Sequence, residues 1–239
     1  MFSSRFGLTI SYLVASLLLL FPAFFLYQEW YPLEWRQFVG GGRLLRLLGL
    51  AVLIGPVISF IVFKQNRRLL IMDLAVVLIV QILLVSLAMH GLAQGRAQWV
   101  AFVKDDWRIL RPIDMQPGVE FSLKRLFSGP QWVGARYAED EEVRAIQVTR
   151  ELVEGVTVET FTTSHVPVGE VLSDIRSTTR PFSRLLEHNT QEEIQRVLDA
   201  EPQAVGWLPL KGIARDGVVL VDAAGNPLKP VALAPWEPD

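Results

Sequence analysis

The stretch that decides the fold is Phe6 to Tyr27, FGLTISYLVASLLLLFPAFFLY, which contains no charged side chain. A helix needs roughly 20 consecutive apolar residues to cross the hydrocarbon core of a bilayer, and this run has 22. Arg5 precedes it, as in a secretory signal peptide, but the following residues, Tyr27 to Trp30, offer no pair of small residues for cleavage. We therefore expect a retained transmembrane helix.

Two more apolar runs follow within the first 95 residues. Leu44 to Phe63 is interrupted only by Arg46, whose long side chain can reach the membrane interface. Leu69 to Ala93 holds the polar residues Asp73, Gln81 and His90. We predict a membrane region of residues 1–95 with three spans, at about 6–27, 44–63 and 69–93.

Charge separates this region from the rest of the chain. Residues 1–95 carry seven Lys/Arg and three Asp/Glu, a net charge of +4, and the remainder carries −6 of the total of −2. Residues 96–239 are numerous enough to bury a core of their own, and their acidity argues against nucleic acid as a partner. The chain has no cysteine, so disulfides and thiolate metal sites are excluded.

Orientation follows from the basic residues of the short loops. Arg5 precedes the first span, and Lys64, Arg67 and Arg68 crowd the loop between the second and third. Because Lys and Arg mark cytoplasmic loops, we predict a cytoplasmic N-terminus, with residues 28–43 and 96–239 outside. Arg36, Arg43 and Arg46 oppose this assignment. In a bacterium the second region is then periplasmic, and the aromatic residues of the first loop form an interfacial belt.

The second region has the pattern of an α+β domain with antiparallel strands. Strands are predicted at 99–103, 107–110, 132–137, 205–213, 218–221 and 228–233, the last three forming a meander. Residues 139–154 predict a helix that ends at Gly155, with Val143, Ile146 and Val153 on a buried side. Val168 to Thr178 predicts a short helix, and Thr190 to Glu193 fits a capping box that opens a helix to about Ala200.

Catalytic signatures are not found in the sequence. His90, His165 and His188 have no metal-ligand spacing, and the acidic run 139–142 is typical of a solvated face. Gly40-Gly41-Gly42 lacks the Lys-Ser/Thr of a phosphate loop and predicts a flexible turn instead. We expect neither an enzyme, nor a cofactor, nor a metal.

Asp73 and two rows of small residues are the candidate recognition features of the membrane region. Asp73 lies near the start of the third span, where it either caps the helix against Arg67 and Arg68 or recognises a partner. Gly7, Ser11 and Ala15, and then Ala51, Gly55 and Ser59, recur every fourth residue and form smooth stripes. The stripes pack either against the chain's own helices or against a foreign helix, and Pro56 predicts a kink.

The order and spacing of several short motifs resemble the TfpX/TfpZ (FimB-like) type IV pilin accessory proteins of Gram-negative bacteria. The resemblance covers residues 29–112 and the last thirty residues. It is carried by Trp30-Tyr31-Pro32-Leu33-Glu34-Trp35, Gly40-Gly41-Gly42-Arg43-Leu44-Leu45, Gly55-Pro56, Ile61-Val62-Phe63-Lys64, Asp73-Leu74-Ala75, Trp207-Leu208-Pro209-Leu210 and Pro235-Trp236.

The resemblance implies an inner-membrane, non-catalytic protein that acts as a chaperone or assembly modulator for one cognate pilin. The candidate partner-binding residues are Trp30, Tyr31 and Trp35 of this motif, Asp73, and the small residues Ala51, Gly55 and Ser59 of the second stripe. Pro32, Gly40, Gly41, Gly42 and Pro56 are the structural residues of the motif. The partners implied are the pilin, through its transmembrane helix and its globular head, and the lipid bilayer.

Two rival functions differ in what they require. A membrane-anchored periplasmic sensor or signalling protein would need a cytoplasmic output, but the expected cytoplasmic part is a few residues and one short loop. A membrane enzyme would need polar groups at one depth, whereas Asp73 and Gln81 lie roughly 12 Å apart along a helix at 1.5 Å per residue.

Overall fold

The computed structural model describes residues 5–62, 67–116 and 127–237. These residues form the α-helices α1 (Arg5–Trp30), α2 (Leu33–Val39), α3 (Gly42–Val62), α4 (Arg67–Gly95), α5 (Glu141–Glu154), α6 (Leu172–Thr178) and α7 (Gln191–Ala200). They group into two compact units. The helical unit contains α1, α3 and α4, and the sheet unit contains Tyr31–Gly40 and the chain from Gly95 onward.

Two helices of the helical unit hold segments that are long and apolar enough to cross a membrane. These are Thr9–Trp30 in α1 and Met72–Gly95 in α4, while α3 contains the shorter apolar segment Leu45–Ile58. Large apolar side chains on these helices are exposed, for example Leu18 at 70% and Leu87 at 69%. The core helix of a water-soluble protein buries such side chains, so this exposure favours a lipid environment.

The sheet unit is built on a mixed sheet of seven strands among the described residues. The strands are β1 (Trp99–Val103), β2 (Asp106–Leu110), β3 (Gln131–Ala135), β4 (His165–Pro167), β5 (Gly206–Lys211), β6 (Gly217–Val221) and β7 (Pro227–Val231), in the spatial order β4-β3-β1-β2-β5-β6-β7. The pairs β1–β3 and β2–β5 are parallel, and the other four are antiparallel. The predicted C-terminal meander is confirmed as β5–β6–β7.

Alternate residues of β1 form part of one apolar core. Trp99, Ala101 and Val103 are two residues apart and therefore point to the same face of the sheet, where they pack with Leu110 and Met115. A second core lies around Trp207, Val218 and Leu220 and includes Ile194 of α7. All five residues of β1 and of β6 are buried, as expected for strands covered on both faces.

The helices α5 and α7 begin and end close to where the sequence predicts, whereas α6 begins at Leu172, after the predicted Val168, and α2 was not predicted. At the start of α5, the Asp140 carboxylate accepts a hydrogen bond from Val143 N (3.0 Å), and at its end Gly155 takes a left-handed φ of 70°. The capping box of α7 is confirmed, since Thr190 and Glu193 exchange both reciprocal hydrogen bonds. These local signals need no tertiary context, which explains why the sequence reveals them.

The predicted buried side of α5 is wrong. Ile146 and Val153 are 59% and 78% exposed, and the buried side chain is Gln147, at 1%. Gln147 Oε1 accepts a hydrogen bond from Ala138 N (2.9 Å), and its Nε2 donates to Ser164 Oγ (2.8 Å). A fully satisfied amide therefore anchors the helix, and the apolar side chains face outward.

The first interhelical segment is not the interfacial loop that the aromatic residues suggested. Residues 31–40 belong to the sheet unit, and α2 lies within them. Phe38 is fully buried, and its carbonyl accepts hydrogen bonds from Ile213 N (2.7 Å) and Ala214 N (2.8 Å). Because residues 31–40 fold as part of the sheet unit, their aromatic rings are buried in protein. An aromatic belt at the membrane interface is therefore not needed to account for the aromatic residues of this segment.

Candidate functional site

A buried polar contact joins two helices of the helical unit. Gln81 of α4 donates from Nε2 to Ser16 Oγ of α1 over 2.9 Å, and the two residues are 1% and 2% exposed. In an apolar surrounding an unsatisfied amide is costly, so the pair fixes the register of α1 against α4. Because Ser16 is the partner of Gln81, α1 is an integral part of this unit.

Gly55 of α3 faces the same contact. A Cβ at this position would lie 2.7 Å from Tyr12 Cε1 of α1 and would also collide with the Gln81 side chain. Glycine is therefore required for the close approach of three helices, and the space beside it is filled by the chain's own side chains. The stripe of Ala51, Gly55 and Ser59 was expected to pack either against the chain's own helices or against a foreign helix. At Gly55, this geometry supports packing against the chain's own helices.

The other stripe residues and Asp73 are less informative. The side chains of Ala51 and Ser59 lie outside the described part of the structure, as do those of Arg67 and Arg68. Pro56 is buried within α3. Asp73 is half-buried in the second turn of α4, which begins at Arg67. The effect of a helix dipole fades beyond the first turn, so the dipole explains Asp73 less well than the sequence suggested.

An apolar groove lies between α1 and α3 in the described part of the helical unit. It has a volume of about 390 Å³ and is lined by Leu17, Leu20, Phe21, Phe24, Leu45, Leu48 and Gly49. A Cβ at Gly49 would have no described atom within 4 Å. The groove is therefore apolar, and a larger side chain would fit at position 49. At Gly55, in the same helix, there is no such space.

The motif residues 30–42 hold the first interhelical segment in place. Pro32 caps α2, where its carbonyl accepts hydrogen bonds from Trp35 N (2.9 Å) and Arg36 N (3.2 Å). Gly40 and Gly41 end the segment with φ values of 84° and 87°, a left-handed conformation that only glycine adopts readily. Gly42 is the first residue of α3, so the predicted turn is confirmed.

The aromatic candidates of this segment are buried rather than displayed. Trp30, Tyr31 and Trp35 are at most 5% exposed. The Trp35 ring lies 5.5 Å from that of Trp132 in β3, and Trp132 meets Trp107 of β2 at 4.8 Å in an edge-to-face arrangement. Such pairs contribute packing energy beyond their buried area. The motif tryptophan is thus part of the core of the sheet unit.

A charged cluster lines a cleft of about 440 Å³ where β2 and β5 part after two paired residues. Arg108 bridges Asp106 (Nε to Oδ1, 3.0 Å) and Glu159 (Nη1 to Oε1, 2.6 Å), and Lys211 Nζ lies 2.6 Å from Asp106 Oδ2. Burial lowers the pKa of Arg108, but the hydrogen bonds to Asp106 and Glu159 outweigh it and raise the pKa above its usual value. Two acids and two bases balance, which indicates a structural network.

The described residues contain no metal-binding cluster. No group of three or more His, Asp or Glu side chains has metal-binding geometry there. His165 lies in β4, where its Nε2 contacts the Glu159 carbonyl at 2.8 Å and its ring packs edge-on against Trp99. Burial lowers the pKa of His165 below 6.5, although this carbonyl contact opposes the shift.

Sequence reasoning missed the Ser16–Gln81 contact and the outward apolar side of α5. A signal for the first exists, because a lone amide in an apolar run usually finds a polar partner on a facing helix. Comparison with protein-family models, with curated proteins and with solved structures finds no match to this chain.

Proposed function

We propose that this chain is a three-span inner-membrane accessory protein that acts, without catalysis, as a chaperone or assembly modulator for one cognate type IV pilin. The helical unit would lie beside the pilin's transmembrane stem in the bilayer, and the sheet unit would meet the pilin's globular head in the periplasm. Binding both parts of one molecule raises the effective concentration of each contact.

Chain connectivity supports three spans. The end of α1, the start of α3 and the end of α4 all join the sheet unit, because residues 31–40 and the chain from Gly95 both belong to it. If α4 crosses the membrane, its start lies on the opposite side, and α3 must cross in order to reach it. At 1.5 Å per residue, the 21 residues of α3 extend about 31 Å, which matches a bilayer core of about 30 Å.

The same connectivity agrees with the orientation taken from the loop charges. With three spans, Arg5 and the basic residues Lys64, Arg67 and Arg68 would fall on one side of the membrane and the sheet unit on the other. Basic loops stay in the cytoplasm, so the sheet unit is periplasmic in this proposal. The Ser16–Gln81 contact supports retention of α1, because its removal would leave the Gln81 amide without this partner.

The observation that carries the proposal is the role of the motif residues. Pro32, Trp35, Gly40 and Gly41, which contribute to the family resemblance, are the residues that build the first interhelical segment into the sheet unit. These motif residues lie at two of the three chain connections between the helical unit and the sheet unit, so they support a resemblance in architecture. The pilin is proposed as the partner on the basis of that resemblance.

The groove between α1 and α3 is the best surface for the pilin stem. It is apolar and lies within the helical unit, and its opening at Gly49 lets a foreign helix approach closely. The position of Gly55 is unsuitable, because Tyr12 and Gln81 occupy it. We therefore assign the contact with the pilin stem to the groove at Gly49 and not to the stripe of Ala51, Gly55 and Ser59.

Co-purification of the cognate pilin with the tagged full-length chain in mild detergent tests the proposal. Wild type should recover the pilin but not an unrelated inner-membrane protein. Gly49→Phe fills the groove and should reduce pilin recovery about tenfold, the effect of losing roughly 1.4 kcal/mol of association energy. Leu87→Phe, on an exposed part of α4, is the matched control and should recover as much as wild type. No recovery by wild type would contradict the proposal.

A further inference from the structure

One edge of the sheet holds the start of β1 and the ends of β2 and β5. Trp99, the first residue of β1, pairs with Leu110, the last residue of β2. β5 runs parallel to β2 and ends at Lys211, which pairs with Arg108. The chain arrives from α4, which ends at Gly95, only four residues before Trp99. We call this edge, with the segments 31–40, 95–99, 110–116 and 211–217, the entry edge.

The segment between α1 and α3 lies at the same edge. The Phe38 carbonyl accepts a hydrogen bond from Ile213 N (2.7 Å), two residues beyond the end of β5, and α3 begins four residues after Phe38. A Cβ at Gly95 would lie 3.4 Å from the hydroxyl oxygen of Tyr31, the residue that follows α1. The three points at which the chain leaves the sheet unit for α1, α3 and α4 therefore lie together at the entry edge.

Three large aliphatic side chains are exposed at the entry edge. Leu33 of α2 is 79% exposed, and Ile213 is 41% exposed. Ile113, in the 3₁₀ turn Pro112–Asp114 after β2, is 64% exposed and lines the same cleft as Ile213. Single exposed apolar residues are ordinary on a protein surface, but residues from separate segments that gather at one place mark an interaction or membrane site.

The charge of the entry edge differs in sign from that of the sheet unit. Its four segments carry five Lys/Arg and three Asp/Glu, a net charge of +2, whereas the sheet unit as a whole carries −6. Arg215, beside the exposed Ile213, is itself exposed. Aliphatic side chains among basic residues are the composition that binds anionic phospholipid headgroups.

Chain length limits how far the entry edge can lie from the bilayer. Leu33 is three residues beyond the end of α1 at Trp30, and an extended chain spans at most about 3.6 Å per residue, so the two Cα atoms are at most about 11 Å apart. The headgroup layer on each side of a bilayer core is roughly 5–8 Å thick. If α1 ends at the membrane surface, Leu33 is within reach of this layer. The chain connections themselves thus bring the bilayer to this edge, which favours lipid over a soluble protein as its occupant.

We infer that the entry edge rests on the bilayer surface and that Leu33, Ile113 and Ile213 enter the headgroup layer. This inference rests on the membrane-spanning part of the proposed function and does not depend on the pilin. The contact sets the orientation of the sheet unit relative to the membrane. Aliphatic side chains therefore take the interfacial position that the sequence suggested for the aromatic rings of the first loop.

The absence of cysteine from the chain allows a direct test, because one introduced cysteine carries one fluorescent label. Leu33→Cys, Ile113→Cys and Ile213→Cys are each labelled in the full-length chain and reconstituted in vesicles of phosphatidylethanolamine and phosphatidylglycerol. Each label should lose most of its fluorescence when the lipids carry a nitroxide quencher beside the headgroup.

Val205→Cys is the matched control. Val205 is 55% exposed and immediately precedes β5, so it lies about 20 Å along the strand from Lys211 at roughly 3.3 Å per residue. Its label should keep its fluorescence in the same vesicles. Retained fluorescence at the three entry-edge positions, or equal quenching at Val205, would overturn the inference.

A label at Leu87→Cys separates this inference from the proposed function. Leu87 is 69% exposed on α4 and should be quenched by a nitroxide placed deeper on the acyl chain. Quenching at Leu87 without quenching at the entry edge would overturn only the inference. If the Leu87 label is not quenched either, the membrane-spanning proposal fails and the inference fails with it.

A photoactivatable phospholipid, reactive beside its headgroup, tests the wild-type chain without any substitution. Mass spectrometry should locate lipid adducts at Leu33 and Ile213 and not at Val205. This result does not depend on how a labelled variant folds. Adducts at Val205 but not at the entry edge would contradict the inference.

Discussion

Trp35 of α2 packs against Trp132 of β3, with ring centroids 5.5 Å apart. Trp35 lies between α1 and α3 in the chain, and Trp132 lies in the sheet. Their contact makes the first interhelical segment a part of the sheet unit. The motif from Trp30 to Trp35 thus has a structural role, because it supplies a core residue to the sheet unit. The first strand of that unit begins 64 positions later, at Trp99.

Trp35→Ala should destabilise the sheet unit strongly. Removing a buried tryptophan from a core typically costs about 3–5 kcal/mol, and Trp35 is 5% exposed. Limited proteolysis of the detergent-solubilised chain measures the effect as faster cleavage within the sheet unit. Leu33→Ala, in the same helix but 79% exposed, is the control and should be cleaved as slowly as wild type. Equal cleavage of both variants would mean that α2 is not part of the domain.

Gly55→Leu should lower the amount of the chain itself in the membrane. A side chain at Gly55 collides with Tyr12 and Gln81, so α3 must move away from α1 and α4. Quantitative immunoblotting of membranes measures the loss. Gly49→Leu, in the same helix with open space beside it, should leave the level unchanged. A normal level for Gly55→Leu would refute the close packing of the three helices.

His165 should make the sheet unit less stable in mild acid. Burial holds the pKa of His165 below 6.5 in the folded state, so the unfolded chain binds the proton first as pH falls. The contribution of neutral His165 is complete above pH 6.5 and is lost as pH falls from there through the folded-state pKa. Between pH 7.5 and 5.5 the melting temperature of wild type should drop further than that of His165→Asn. An equal drop for both proteins would exclude His165 as the source.

The topology predicts opposite behaviour for two reporter positions. Alkaline phosphatase fused after Asp239 should be active, because it folds only in the periplasm. The same enzyme inserted between α3 and α4 should be inactive, since that loop carries the basic residues that remain in the cytoplasm. Activity at both positions would indicate that α3 does not cross the membrane with α4, and the reverse pattern would invert the orientation.

Local signals made much of the fold predictable. The ends of α5 and α7 follow from Asp140, Gly155 and the Thr190–Glu193 box, and the two long apolar segments in α1 and α4 follow from composition. The C-terminal meander follows from short apolar runs separated by turn residues. The parallel pairs β1–β3 and β2–β5 were not predictable, because they join segments that are distant in sequence and linked by other elements.

The candidate site was predictable only in part. Gly55 was identified as a point of close helix approach, but its neighbours Tyr12 and Gln81 lie on other helices and no local pattern names them. The reversed sides of α5 misled the prediction of its buried residues, because an apolar pattern indicates which residues share a side and not which way that side faces. Gln147 decides the direction through hydrogen bonds to Ala138 and Ser164.

The most direct test of the account is the amount of the cognate pilin in membranes of a clean deletion strain. We predict that pilin amount or the number of surface pili falls, that other envelope proteins are unchanged, and that the wild-type chain supplied in trans restores the pilin. Equal pilin amount and equal pilus number with and without the chain would contradict its role as a pilin accessory protein.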